Sequence, residues 1–285
     1  MEDVFSKLVL HLDDEIEDAE EETFVLYSQP IPSQNLGFVD SKAKAIQVDT
    51  GESEYTIHQS PTVLSSNRAG GTTGAVLWKV TPLFASWLAS KDNILFKHGI
   101  IRSDSIVAEL GCGISPLNAF AIGGRVQRYV LTDQPYVQRL VLQNIEENSH
   151  LLRSARLPKK QPQTNIEFAV LDWETDTASP SLVGSGARSF DVVLACDCVF
   201  NYALVKPFVE TCVEVCRLRQ NDDSHDAPCV CIVAQQLRND EVFLLWLQTF
   251  TQFFRAWKIP DDALPPGLKS SDGFVVHIGI LRPDS

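Results

Sequence analysis

Residues 106–113, Ile-Val-Ala-Glu-Leu-Gly-Cys-Gly, read as an apolar strand that runs straight into a glycine turn. A helix-like stretch, 116–122, follows. Glycines at a strand end let the backbone pass close to a ligand, and the helix behind them presents unpaired N–H groups. In a doubly wound sheet this is the crevice that takes nucleotides. Two nucleotide chemistries fit poorly. The third glycine of a dinucleotide fingerprint would fall at position 116, which is Pro116. No Gly-Lys-Ser/Thr occurs, so the phosphate-cradling P-loop is excluded.

Outward from this turn the chain alternates. Strand-like runs lie at 105–110, 129–133, 166–172, 191–196, 229–235 and 274–281, and helix-like stretches at 75–89, 116–122, 135–148, 203–218 and 240–254. Continuous apolar strands alternating with helices predict an α/β fold built on a doubly wound parallel sheet. The last run follows a loop rich in proline and glycine, which permits an antiparallel return strand. Residues 154–165 and 176–189 read as surface loops. Upstream, 23–64 shows short β-rich pieces such as 23–27 and 55–58 between turn residues, and a flexible stretch, SSNRAGGTTG, ends at Gly74. The expected organisation is an acidic, solvated tail over 1–22, a small β appendage with a glycine-rich connector over 23–74, and the main domain over 75–285.

Apolar residues make up 44% and charged residues 21%, an ordinary globular balance. The net charge is −13, which argues against a general nucleic-acid binder. The first 22 residues hold ten acids and one lysine, and the remainder is nearly balanced at −4. An acidic tail favours basic partners. The start shows no secretory pattern, and no apolar run reaches 18 residues, so no membrane span is expected. Seven cysteines sit mainly inside apolar runs and read as reduced, buried thiols of a cytoplasmic or nuclear protein. The two Cys-x-Cys pairs would each point both thiols to one face of a strand. They lack the partner sets of a metal centre, and no metal is expected.

Three further markers sit at strand ends. Asp133, 20 residues past Gly113, could accept both ribose hydroxyls of a bound nucleoside or could cap the next helix. Trp173, beside Asp172, could stack on an adenine. After the fourth strand, Asp197-Cys198-Val199-Phe200 places a carboxylate and an aromatic ring on the rim where substrates bind.

Together these residues resemble the seven-strand S-adenosylmethionine-dependent methyltransferases. More narrowly, they resemble the non-histone protein lysine methyltransferases marked by an Asp/Glu-x-x-Tyr/Phe motif, here Asp197-Cys198-Val199-Phe200. That group also carries a Trp in the helix before the glycine loop, after a Thr-Gly element, here Thr73-Gly74-Ala75-Val76-Leu77-Trp78. The family loop commonly reads Gly-x-Gly-x-Gly, and here Ser115 stands in the third glycine place. The resemblance covers nearly the whole chain from about Glu21 and extends to the ribosomal branch of the family. It implies a Rossmann-like sheet of seven strands with an antiparallel last strand, and S-adenosyl-L-methionine as cofactor. It assigns Trp78, Gly111, Cys112, Gly113, Asp133, Trp173 and Cys196 to the cofactor site, Cys196 mostly through its backbone. Asp197 and Phe200 would flank the target amine. The implied partner is a basic protein, a large-subunit ribosomal protein, with no direct nucleic-acid binding and a monomeric enzyme. A family member acting on a chaperone or translation factor, and an inactive cofactor-binding module, are the alternatives.

Overall fold

The alternating strands and helices assemble into one mixed sheet in the order β5-β4-β3-β6-β7-β9-β8. The computed structural model describes residues 4–32, 37–51, 53–68, 71–90, 92–151, 165–222 and 227–283. In chain order the elements are α1 (Val4–Val9), α2 (Ala19–Tyr27), β1 (Ala45–Asp49), β2 (Glu54–His58), α3 (Pro61–Leu64), α4 (Val80–Ala89), α5 (Ile94–Lys97), β3 (Ile106–Leu110), α6 (Leu117–Ile122), β4 (Arg128–Asp133), α7 (Gln138–Asn148), β5 (Ile166–Val170), α8 (Pro180–Val183), β6 (Val192–Cys196), α9 (Tyr202–Gln220), β7 (Val230–Gln236), α10 (Asp240–Phe253), β8 (Phe254–Lys258) and β9 (Phe274–Leu281).

β3, β4, β5, β6 and β7 pair in parallel, while β9 pairs antiparallel with both β7 and β8. The strand order reverses at β3, whose neighbours are β4 and β6. Every residue of β3, β6 and β7 is buried, because helices cover both faces of the sheet. One apolar cluster lies on the side of α4, α6 and α7, the other on the side of α9 and α10.

The strand β8 is missing from the sequence reading, which continues the preceding helix through residue 254. The helix α10 passes into β8 with no turn residue between them, and its C-cap is Phe254 itself. The helix expected at 75–89 begins only at Val80, so Trp78 precedes it. Within the expected loop 176–189, Pro180–Val183 forms a short helix whose Val183 is buried. Of the expected loop 154–165, residues 154–164 lie outside the described residues.

The first 22 residues depart most from expectation. From Val4 onward they fold against the domain rather than forming a solvated tail. Phe5, Leu8 and Ile16 are buried. Residues 13–16 run along β8: the Asp13 and Ile16 N–H groups donate to the Lys258 and Ala256 carbonyls. Glu15 pairs with Arg255 at 2.5 Å and Asp13 with Lys258 at 2.6 Å, so part of the acidity is matched locally. The segment 23–27, expected as a strand, belongs to α2. Asp18 caps that helix by accepting from the Glu20 and Glu21 N–H groups, and three glutamates fill its first turn, where the helix dipole favours negative charge.

The β appendage is the hairpin β1–β2, clamped to the domain by two asparagines one turn apart on α7. Asn144 accepts from the His58 N–H at 2.8 Å and returns a hydrogen bond to the His58 carbonyl at 2.9 Å. Asn148 does the same with Thr56, at 3.0 and 2.8 Å. Asn144 also donates to the Ile114 carbonyl at 2.7 Å, so the hairpin is tied to the turn after β3.

Candidate cofactor and substrate site

The turn after β3 has a path only glycine can follow. Gly111 and Gly113 take φ of +68° and +56°, a region that disfavours any side chain. A Cβ on Gly111 would stand 2.8 Å from the Trp173 ring, and one on Gly113 2.9 Å from the Gly74 carbonyl oxygen. The connector is bonded to this turn: the Gly74 carbonyl accepts from the Ile114 N–H at 2.9 Å, and the Gly74 N–H donates to the Tyr136 hydroxyl at 3.0 Å. Ser115 is buried, its N–H donating to the Cys112 carbonyl, so the serine closes the turn where the family commonly has glycine.

Asp133 closes the end of β4. Its carboxylate accepts the Gly113 N–H at 2.8 Å and the Gln134 N–H at 2.6 Å. Burial pushes its pKa up to about 6, and the two N–H donors oppose that rise. It does not cap the helix that follows: α7 starts at Gln138 with Val137 before it and no side-chain cap. Each carboxylate oxygen can still accept a second hydrogen bond, from a hydroxyl. Trp173 is half-buried, packed on Gly111 and 5.1 Å from the Phe208 ring centroid. Its Nε1 is buried with no hydrogen-bond partner among the described residues.

Asp197 follows β6 with φ of +60°, the left-handed region, uncommon outside glycine and least costly for Asp and Asn. Such a backbone costs about 1–3 kcal/mol and persists only when its surroundings hold it. Here the Asp197 N–H donates to the Ala234 carbonyl at 2.7 Å. The carboxylate accepts the Gln236 N–H at 3.3 Å and pairs with the Arg238 guanidinium. Burial raises its pKa, and the arginine opposes that shift. Asp197 is no helix cap either, since Asn201 caps α9. The backbone reversal corrects one expectation. Cys196 packs in the cluster on the α4 side and Cys198 in the cluster on the α9 side, so the two thiols do not share a face. Burial pushes the Cys112, Cys196 and Cys198 thiols up, so all three are neutral and poor nucleophiles.

Three aromatic rings gather near Asp197. Trp78 forms an antiparallel bridge with Phe38, whose ring centroid lies 4.5 Å from its own. Phe200 stacks on Trp78 at 6.5 Å and is 37% exposed. Trp78 donates its Nε1 hydrogen to the Thr73 carbonyl at 3.0 Å.

One cavity of about 410 Å³ receives all of the sequence-predicted residues: Trp78, Gly111, Cys112, Gly113, Asp133, Trp173, Cys196, Asp197 and Phe200 line it. Sequence reasoning gave no role to Tyr136 or Glu109, which also line it, nor to Arg238, which backs Asp197. Glu109 is fully buried, accepts from the Tyr129 hydroxyl and the Asn118 amide, and is pushed up to about 7 by burial. The volume lies in the range of small-molecule sites, about 300–1,000 Å³.

A reversed strand order, a glycine turn, an acid ending the next strand and a carboxylate–aromatic pair after the fourth suit a nucleoside-bearing cofactor, the arrangement of a methyltransferase. The chain belongs to the lysine methyltransferase family, which residues 58–250 match. A Zygosaccharomyces rouxii protein named ribosomal lysine N-methyltransferase 5 is 32% identical over 223 residues, covering 68% of this chain and 69% of that protein. The Kluyveromyces lactis protein of the same name is 28% identical over 228 residues, covering 63% of this chain and 71% of that protein. Among solved structures, the N-methyltransferase NodS of Bradyrhizobium japonicum, in complex with S-adenosylhomocysteine, aligns with a TM-score of 0.40 and 9% identity, over 62% of this chain and 78% of that one. Among the described residues no helix is long and apolar enough to cross a membrane.

Proposed function

We propose that this chain methylates the side-chain amine of a lysine in a basic protein, a protein of the large ribosomal subunit. The observation that carries this reading is the convergence of Asp133 and Trp173 with Asp197 and Phe200 on one cavity. The two relatives named for ribosomal lysine methylation support the ribosomal substrate.

The residues present fit S-adenosylmethionine. Asp133 has acceptor capacity for two ribose hydroxyls. The buried Trp173 Nε1 has an unused donor, and its ring offers a flat apolar face. The backbone of Gly111, Cys112 and Gly113 can approach a ligand closely, and Cys196 contributes its backbone beside them. When bound, the cofactor supplies a methyl group already activated on a positively charged sulfur.

The chain's own task is then placement. A lysine amine has a free pKa of about 10.4 and must lose its proton before it attacks. Asp197 receives the arriving ammonium, and Phe200 and Trp78 pack against its stem and cationic head. The neutral thiols around the site take no covalent part.

The test is incubation with labelled S-adenosylmethionine and ribosomes from cells lacking the activity. Label on a large-subunit protein lysine, lost with Asp197→Asn, is the expected result. Label on a chaperone or translation factor instead would move the substrate assignment, and no label on any protein would leave a cofactor-binding module.

A further inference from the structure

We propose that Arg238 is a gate: in the free enzyme its guanidinium stands in for the substrate's ammonium, and the target lysine must displace it. The inference rests on the reading of Asp197, Trp78 and Phe200 as the amine-binding group.

A cation entering that group needs a carboxylate and an aromatic face. Both are already engaged, and by the same side chain. The Asp197 carboxylate is paired with the Arg238 guanidinium. The guanidinium carbon also lies 4.9 Å from the centre of the Trp78 ring, on which Phe200 stacks. A buried carboxylate needs such a partner, since an unpaired charge away from water is costly. The Asp197 side chain is 1% exposed and the Arg238 side chain 19%, so the arginine reaches in from the outer side. It is not one of the cavity's lining residues. It stands at the end marked by Trp78 and the exposed Phe200, beside the route of a long side chain coming from solvent.

Arg238 belongs to the short link between β7, ending at Gln236, and α10, starting at Asp240. Asn239 caps α10 by accepting from the Val242 N–H, so the backbone there is fixed while the arginine side chain is long and able to swing. On its other side lies the strand-like strap of Gly37, Phe38 and Val39, hydrogen-bonded to the Trp78 segment. Gly37 has φ of +88°, and a Cβ there would stand 3.1 Å from an Arg238 guanidinium nitrogen. Glycine at 37 lets the strap lie against the Gln236 amide, whose oxygen a Cβ would strike first, and beside the arginine.

Exchange of one cation for another keeps the buried carboxylate paired as the substrate arrives. An uncharged side chain cannot make that exchange, so the gate admits only a cationic side chain. A resident occupant lowers apparent affinity by the fraction of time the site is closed.

The test measures binding of Nα-acetyl-lysine methylamide by calorimetry, with S-adenosylhomocysteine affinity as the check of an intact fold. Arg238→Gln is expected to bind the lysine probe about tenfold tighter than wild type, with S-adenosylhomocysteine affinity unchanged. Arg238→Lys keeps the charge but loses the planar fork, so it should fall between the two. It also serves as the deciding variant if Arg238→Gln loses S-adenosylhomocysteine binding. Added ethylguanidinium should weaken probe binding to Arg238→Gln. Equal or weaker probe binding in the deciding variant, with the probe still lost on Asp197→Asn, overturns the gate and leaves the amine site standing. A probe that binds none of these proteins overturns both.

Discussion

Asp133 and Asp197 end strands that flank β3, about 10 Å apart across the sheet, and the chain holds them in opposite ways. Asp133 has ordinary extended backbone and two neutral N–H donors. Asp197 has left-handed backbone and a guanidinium partner. A carboxylate held by neutral donors stays open to neutral hydroxyls. A carboxylate matched by a cation accepts another cation only by exchange. The same residue type thus serves a nucleoside on one side of β3 and an amine on the other.

The largest expected effect falls on the Asp197 side. Asp197→Asn keeps the side-chain shape and tolerates the left-handed backbone. It should lower methylation by about 10²–10³-fold in kcat/KM while leaving cofactor affinity within about twofold. If it weakens the cofactor as strongly as the turnover, the two acids serve one function and the contrast fails. Next, Asp133→Ala should weaken S-adenosylhomocysteine binding by about 10–100-fold in calorimetry, the scale of lost hydrogen bonds to a charged group. A smaller effect comes from pH. Asp133 carries a pKa of about 6 because burial disfavours its charge. Below that value it is protonated and a poorer acceptor for the hydroxyls, so cofactor affinity should fall as pH drops, by about tenfold at pH 5. Asp133→Asn should flatten the profile between pH 5 and 8, and a wild-type profile already flat would remove the acid from the cofactor. The smallest change is Phe200→Ala, which should raise KM for the protein substrate about fivefold, the scale of one exposed cation–π contact. Unchanged KM would take Phe200 out of the amine site.

The strand ends were legible in the sequence because they carry local signals: glycines where the backbone must reverse, and acids at fixed distances beyond them. Gly111, Gly113, Asp133, Trp173, Asp197 and Phe200 carry such strand-end signals, whereas Trp78, Cys112 and Cys196 rest on the family resemblance; all nine line one cavity. Arg238 carries no such signal. Nothing in the residues around it announces that the link after β7 lies beside Asp197, which only the parallel pairing of β6 with β7 brings about. The missed strand β8 has a different cause. No glycine, proline or other turn residue separates α10 from Phe254-Arg255-Ala256-Trp257, and only tertiary pairing with β9 makes that stretch a strand. The acidic start was misread because charge density outweighed two weaker cues: Ile16 among the acids, and Asp18 as a cap two residues before Glu20.

The pairing of residues 13–16 with β8 has a consequence for the order in which the molecule is made. Their partners lie some 240 residues further along the chain. During synthesis this segment therefore has no place to dock until β8 has been made. Its closure is among the longest-range contacts in the molecule and so among the slowest to form. Until then β8 keeps an open edge, the kind that pairs with neighbouring chains. A variant lacking residues 13–16 would carry that open edge permanently, and would be expected to self-associate as its concentration rises.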